Sequence, residues 1–71
     1  MDIGAVVEII GQEYRNIGWH GRLCRVEGLH WYGQAVVDLR GLRRDEHSGG
    51  LVGTHTMLYM VPGHAVRMAG C

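Results

Sequence analysis

The chain contains no lysine and no phenylalanine, a single proline, Pro62, and two cysteines, Cys24 and Cys71. Every basic side chain is therefore arginine or histidine. Arginine suits bidentate and stacked contacts better than lysine does, although biased codon usage gives the same skew. Charge of one sign is missing too. Seven basic residues balance seven acidic ones, for a formal net charge of +0. A strong non-specific attraction to phosphate is not expected from such a chain. Two cysteines, one inside an apolar run and one at the last position, do not make a disulfide framework. Cys24 reads as a buried thiol and Cys71 as a frayed, free one. No apolar run approaches the roughly 20 residues that span a bilayer. Met1 is followed by Asp2 with no basic n-region, so no signal peptide is expected. The expected setting is the cytoplasm, or a virion if the chain is phage-borne.

Chemistry-bearing patterns are scarce as well. The five histidines, His20, His30, His47, His55 and His64, show no spacing of the C-x2-C or H-x3-H kind, so no metal site is expected. Ser48 is the only serine and lies in a glycine tract, where a triad could not hold it. Cys24 reads as inert, because a reactive thiol needs an electropositive, partly exposed site. No carboxylate pair suggests acid–base work. No phosphate loop of the G-x-x-x-x-G-K-[ST] type is present. No catalytic residue and no cofactor are expected, and the balance leans away from an enzyme.

What the chain does have is glycine, twelve in 71 residues, spaced between short β-branched runs. That pattern argues for strands and tight turns. No segment carries apolar residues at i, i+3, i+4 and i+7 over three turns. A chain of this length makes one domain, residues 1–71, with a core too small to supply more than a few kcal/mol unaided. Oligomerisation is the remaining source of stability.

Period-two alternation predicts five strands. The first covers residues 5–10, with Val7 and Ile9 on one face. The second covers 22–27, where the alternation leaves the inward face open. The third covers 34–40 and is the cleanest, with Ala35, Val37 and Leu39 apolar and Gln34, Val36, Asp38 and Arg40 solvated. The fourth covers 54–60 and ends by Val61, because Pro62 cannot donate to a ladder. A single turn over 61–64 leads to a short fifth strand at 65–68. Two long loops remain. Residues 12–21 hold Tyr14, Arg15, Asn16, Ile17, Trp19 and His20. Either Ile17 and one aromatic fold back to plug the end of the fold, or the aromatics face outward. Residues 41–53 hold Arg43, Arg44, Asp45 and Glu46, a solvated tip or an adaptable contact loop. A shorter loop after the second strand carries Trp31 and Tyr32.

The fold class expected is all-β. Five short strands, a long first loop and one helical turn before the last strand resemble the Src-homology-3-like barrels. Val7, Ile9, Gly11, Gly18, Gly21, Arg22, Leu23 and Val26 resemble the KOW-type version of that fold. That resemblance implies RNA, DNA or protein binding, though KOW loops are usually basic. A weaker resemblance is to the type II dihydrofolate reductases, through Trp19, Gly21, Leu23 and Tyr59. Met57 replaces that family's pore glutamine, and no lysine is present for its pore mouth. In Src-homology-3-like barrels the first loop and the loop after the second strand lie near each other. The resemblance therefore implies that Tyr14, Arg15, Trp19, His20, Trp31 and Tyr32 share one end, with Arg43 and Arg44 as further candidates. Tyr, Trp and Arg are the side chains enriched at interface anchors. The expectation is a small binding or assembly module whose partner is another protein or a second copy of itself.

Overall fold

The computed structural model describes residues 1–69, so Cys71 lies outside the described residues. Five strands form one antiparallel sheet: β1 (Val6–Ile9), β2 (Leu23–Trp31), β3 (Ala35–Arg44), β4 (Leu51–Pro62) and β5 (Val66–Met68). The strand order is β4-β3-β2-β1-β5. The first four strands are thus a meander, and β5 returns to the free side of β1. The fold is all-β, as the sequence predicts. Two 3-10 turns complete it, at Gln12–Tyr14 and Gly63–Ala65. The second stands immediately before the last strand.

The core follows from strand alternation. Val7 and Ile9 of β1, Cys24 and Val26 of β2, Val37 and Leu39 of β3, Val61 of β4 and Val66 of β5 form one cluster with Ala65. β4 and β5 hold the two edges of the sheet, yet Val61 and Val66 meet in that cluster. The sheet therefore curls on itself as a small barrel, with its concave face dry. Cys24 and Val26 settle the inward face of β2, and Cys24 is fully buried.

Several strand boundaries differ from the sequence reading, and one is the end of β4, which runs on through Pro62 paired with Val36, on an edge strand where proline is tolerated. β2 continues through Gly28 to Trp31, because Gly28 pairs with Asp38 across the sheet and does not end the strand. Trp31 is thus a strand residue. The turn that follows is short and uses Gly33 at φ 80°, a conformation that glycine adopts without a Cβ penalty. β3 likewise passes through Gly41 to Arg44, and β4 begins at Leu51. The expected thirteen-residue loop shrinks to residues 45–50, and Arg43 and Arg44 stand on a strand. Val36, assigned to the wet face of β3, is buried at 7% exposure, flanked in register by His30 and Pro62. Ile17 plugs nothing, being 57% exposed.

β4 is an edge strand with no charged residue from Leu51 to Pro62. Such an edge invites pairing with another chain unless something bends it. Here the register with β3 shifts twice, between Val37 and Leu39 and again between Arg40 and Leu42. In both places β4 carries the extra residues, and such bulges twist an edge away from flat pairing. Beyond Gly41, β3 pairs only with β4. This two-stranded ribbon projects from the curled part of the sheet, and the molecule measures 42 Å along its longest axis.

Candidate functional site

The first loop, residues 10–22, is tied down by its backbone. Trp19 and His20 both donate N–H to the Tyr14 carbonyl, at 3.1 and 3.2 Å, and Gly21 N–H donates to Ile9 O at 2.8 Å. These bonds fold the loop over the barrel end. Tyr14 and Trp19 pack against the core there. Burial, and then the neighbouring Glu13 charge, raise the Tyr14 hydroxyl above its ordinary pKa. His20 is half-buried beside Trp19, while Arg15 is exposed and bonds the Gln12 side chain. Arg22 lies over the Trp19 ring, 4.4 Å from its centroid.

Trp31 and Tyr32 behave differently. They are 75% and 66% exposed. They also stand at the far end of β2 from the first loop. The loop enters β2 at Leu23, and Trp31 is the last of its nine residues. A strand of that length spans up to roughly 30 Å. The expected shared end is not what the strand order gives. Trp19 caps the core at one end of β2, and Trp31 faces solvent at the other. Leu29 on β2 and Tyr59 and Met60 on β4 are also exposed. The sequence reading counted none of these three among the binding residues, and it missed the polar lock beside them.

That lock joins three strands. The Asp38 carboxylate on β3 meets His30 Nε2 on β2 at 2.7 Å through Oδ2. Its Oδ1 accepts the Met60 N–H of β4 at 3.1 Å. Bonding to His30, then to the Met60 N–H, holds the Asp38 carboxyl below its ordinary pKa. Gly28 makes room, since a Cβ there would stand 2.6 Å from Asp38 Oδ2. Met60 sits in the β4 bulge with φ 58°, the only non-glycine residue with positive φ among the described residues. Tyr32 lies against His30, with ring centroids 6.1 Å apart. The exposed aromatics at this end are therefore mounted on a braced frame. A periodicity search does not see the lock, because Asp38 and His30 are eight residues apart and Met60 contributes only its backbone.

A second polar group sits on the outer face. Arg25 and Arg40 are directly opposed across β2 and β3. Like charges so placed repel, and Glu27 resolves it. Its Oε2 takes Arg25 Nε at 2.8 Å and its Oε1 takes Arg40 Nε at 3.0 Å. Those two bonds lower the Glu27 carboxyl pKa. Arg43 and Arg44 are exposed on the ribbon, and Arg44 bonds the Gly49 carbonyl at its tip. Among the described residues no cluster of three metal-ligating side chains occurs. Burial pushes the Cys24 thiol up to about 11, against the opposing charge of Arg22. That thiol is protonated and inert at neutral pH.

No protein-family model matches the chain, and no curated protein and no solved structure matches it. No helix among the described residues is long and apolar enough to cross a membrane.

Proposed function

We propose that the chain is a small, non-catalytic binding and assembly module of the Src-homology-3-like barrel type, which engages another protein surface or a second copy of itself. One observation carries this reading. Trp31, Tyr32 and Tyr59 are each about two-thirds exposed or more, on strands or a tight turn braced by the Asp38 lock. Large aromatics fixed on a rigid frame lose little side-chain entropy on binding, which is why they anchor interfaces. They also exceed what an ordinary surface displays singly. Three aromatics of 150–250 Å² each, exposed to this degree, offer roughly 400 Å² of apolar area between them, in the range of the largest and often functional patch on a small monomer.

The reading shifts the contact surface from the first loop to the far end of β2. Tyr14 and Trp19 are core caps, so their loss acts on stability. Trp31 and Tyr32 act on association. Light scattering on the purified chain, with and without Trp31→Ala and Tyr32→Ala, tests the self-association arm, and pull-down against a candidate partner tests the other. The expected result is weaker association with an unchanged circular dichroism spectrum. Trp31→Ala that unfolds the chain, or that leaves every association intact, removes the proposal.

A further inference from the structure

We infer that the end of the sheet carrying Trp31 is a two-fold interface on which a second copy of this chain docks. The inference rests on the binding-module reading and names its partner. Strand pairing gathers the contributors. Leu29 and Trp31 belong to the last four rungs of the β2–β3 ladder, from Gly28–Asp38 to Trp31–Ala35. Tyr59 and Met60 lie in the β4 bulge between the Leu39–Leu58 and Val37–Val61 pairs, where the Met60 N–H reaches Asp38. Neighbouring strands stand about 4.8 Å apart and residues about 3.3 Å apart along them, so these anchor points fall within about 10 Å in each direction. Successive strand residues point to opposite faces. Trp31 thus stands on one face, and His30, with Tyr32 against its ring, on the other. The apolar surface wraps this end of the sheet. Every exposed Trp or Tyr among the described residues lies here, since Tyr14 and Trp19 pack against the core.

Charge decides what covers it. From Gly28 to Leu39 the only Asp, Glu, Arg or Lys is Asp38, and from His47 to Val66 there is none. The Asp38 side chain is 17% exposed, and both its oxygens are bonded within the chain. A two-fold contact sets the residues near its axis against their own copies, so a free charge there would meet its like. This end carries no free charge. A different protein is usually selected by complementary charge, and a bilayer surface by cations beside the aromatics. Neither is offered here. The area also fits. Three aromatics exposing roughly 400 Å² supply about half of the ~800 Å² that each partner contributes to a standard interface, and such interfaces are about 56–65% apolar. Leu29 and Met60, also exposed, add to that share. The β4 bulges turn the edge away from flat strand pairing. The copies therefore meet through side chains, and the two-fold contact closes at two.

Sedimentation equilibrium on the full chain over a range of concentrations tests this. A monomer–dimer equilibrium is expected, with the mass levelling at twice 7.9 kDa. Trp31→Glu and Tyr32→Asp each set a charge against apolar groups and weaken the dimer at least about tenfold. Their far-ultraviolet circular dichroism stays that of the wild type; should Trp31→Glu unfold, Tyr32→Asp, on the turn, decides alone. Arg15→Gln, on the first loop at the other end of β2, leaves the dissociation constant unchanged. A wild-type chain that stays monomeric up to roughly 1 mM, where even weak complexes are half formed, overturns the inference. So does a mass that climbs past two copies, wild-type dimerisation in the folded charge variants, or an equal loss in Arg15→Gln. If the chain is monomeric throughout while Trp31→Ala still weakens binding to a candidate partner protein, this inference falls and the binding-module reading stands.

Discussion

Gly28→Ala should destabilise the chain, and the same change should stabilise it once Asp38 is alanine. Gly28 has no positive φ. In a strand, replacing such a glycine by alanine ordinarily gains about 0.5–1 kcal/mol, by restricting the unfolded chain. Here the new Cβ would fall 2.6 Å from Asp38 Oδ2 and 3.3 Å from its Cγ. The carboxylate must move, and it leaves His30 Nε2 or the Met60 N–H, or both. Hydrogen bonds to charged groups contribute about 1.5–3 kcal/mol, and partial exposure places this loss at the low end. The net effect in the wild-type background is a loss of about 1 kcal/mol. In the Asp38→Ala background only the β-carbon contact remains, at 3.4 Å, an ordinary packing distance. Gly28→Ala then gains its usual half kcal/mol or so. The coupling in the double-mutant cycle is therefore about 1.5–2 kcal/mol. Urea unfolding followed by far-ultraviolet circular dichroism reads all four proteins. For a domain of this size 1 kcal/mol corresponds to about 4–8 °C in Tm, so a thermal scan resolves it too. If Gly28→Ala has the same sign in both backgrounds, the lock does not constrain Gly28 and the reasoning fails.

Met60→Gly should raise the urea midpoint by about 0.5–1 kcal/mol equivalent, because φ 58° strains any residue with a Cβ; a lower midpoint refutes the strain. Trp19→Ala should cost about 2–4 kcal/mol, as its ring packs on the core under Arg22, whereas Trp31→Ala should stay within about 0.5 kcal/mol. Equal losses in the two variants would mean that the division between core cap and surface anchor is mistaken. The Cys24 thiol, raised from 9.0 to about 11 in the fold, keeps its proton to higher pH than in the unfolded chain. Stability is therefore full below about pH 9 and falls by up to about 3 kcal/mol as the pH rises to 11. A stability–pH profile of Cys24→Ala should lack that part of the alkaline slope, and an identical slope would count against burial as its cause.

Local chemistry made much of the fold legible. Val7, Ile9, Val37 and Leu39 read as inward because a strand places alternate residues on one face, and the structure buries all four. Pro62 reads as lying beyond the fourth strand, yet it is the last residue of β4 and pairs with Val36, and the 3-10 turn begins only after it. The glycines misled. Gly28 and Gly41 look like strand ends in one dimension. In three dimensions they are strand residues whose missing side chains make room for Asp38 of the neighbouring strand and for Arg22 just ahead of β2. Which neighbour needs the room is set by register, and register is a pairing between distant segments.

The sequence by itself determined the class of fold, the buried thiol and the lack of phosphate-seeking charge. Composition and alternation suffice for those. Only the tertiary structure decided what the aromatics do. Trp19 and Trp31 both sit beside glycine or tyrosine in polar surroundings, and nothing in the string tells them apart. The curl of the sheet packs the first against the core and leaves the second in solvent at the far end of β2. Likewise Arg25, Arg40 and Glu27 are ordinary surface residues until β2 and β3 bring them to one place.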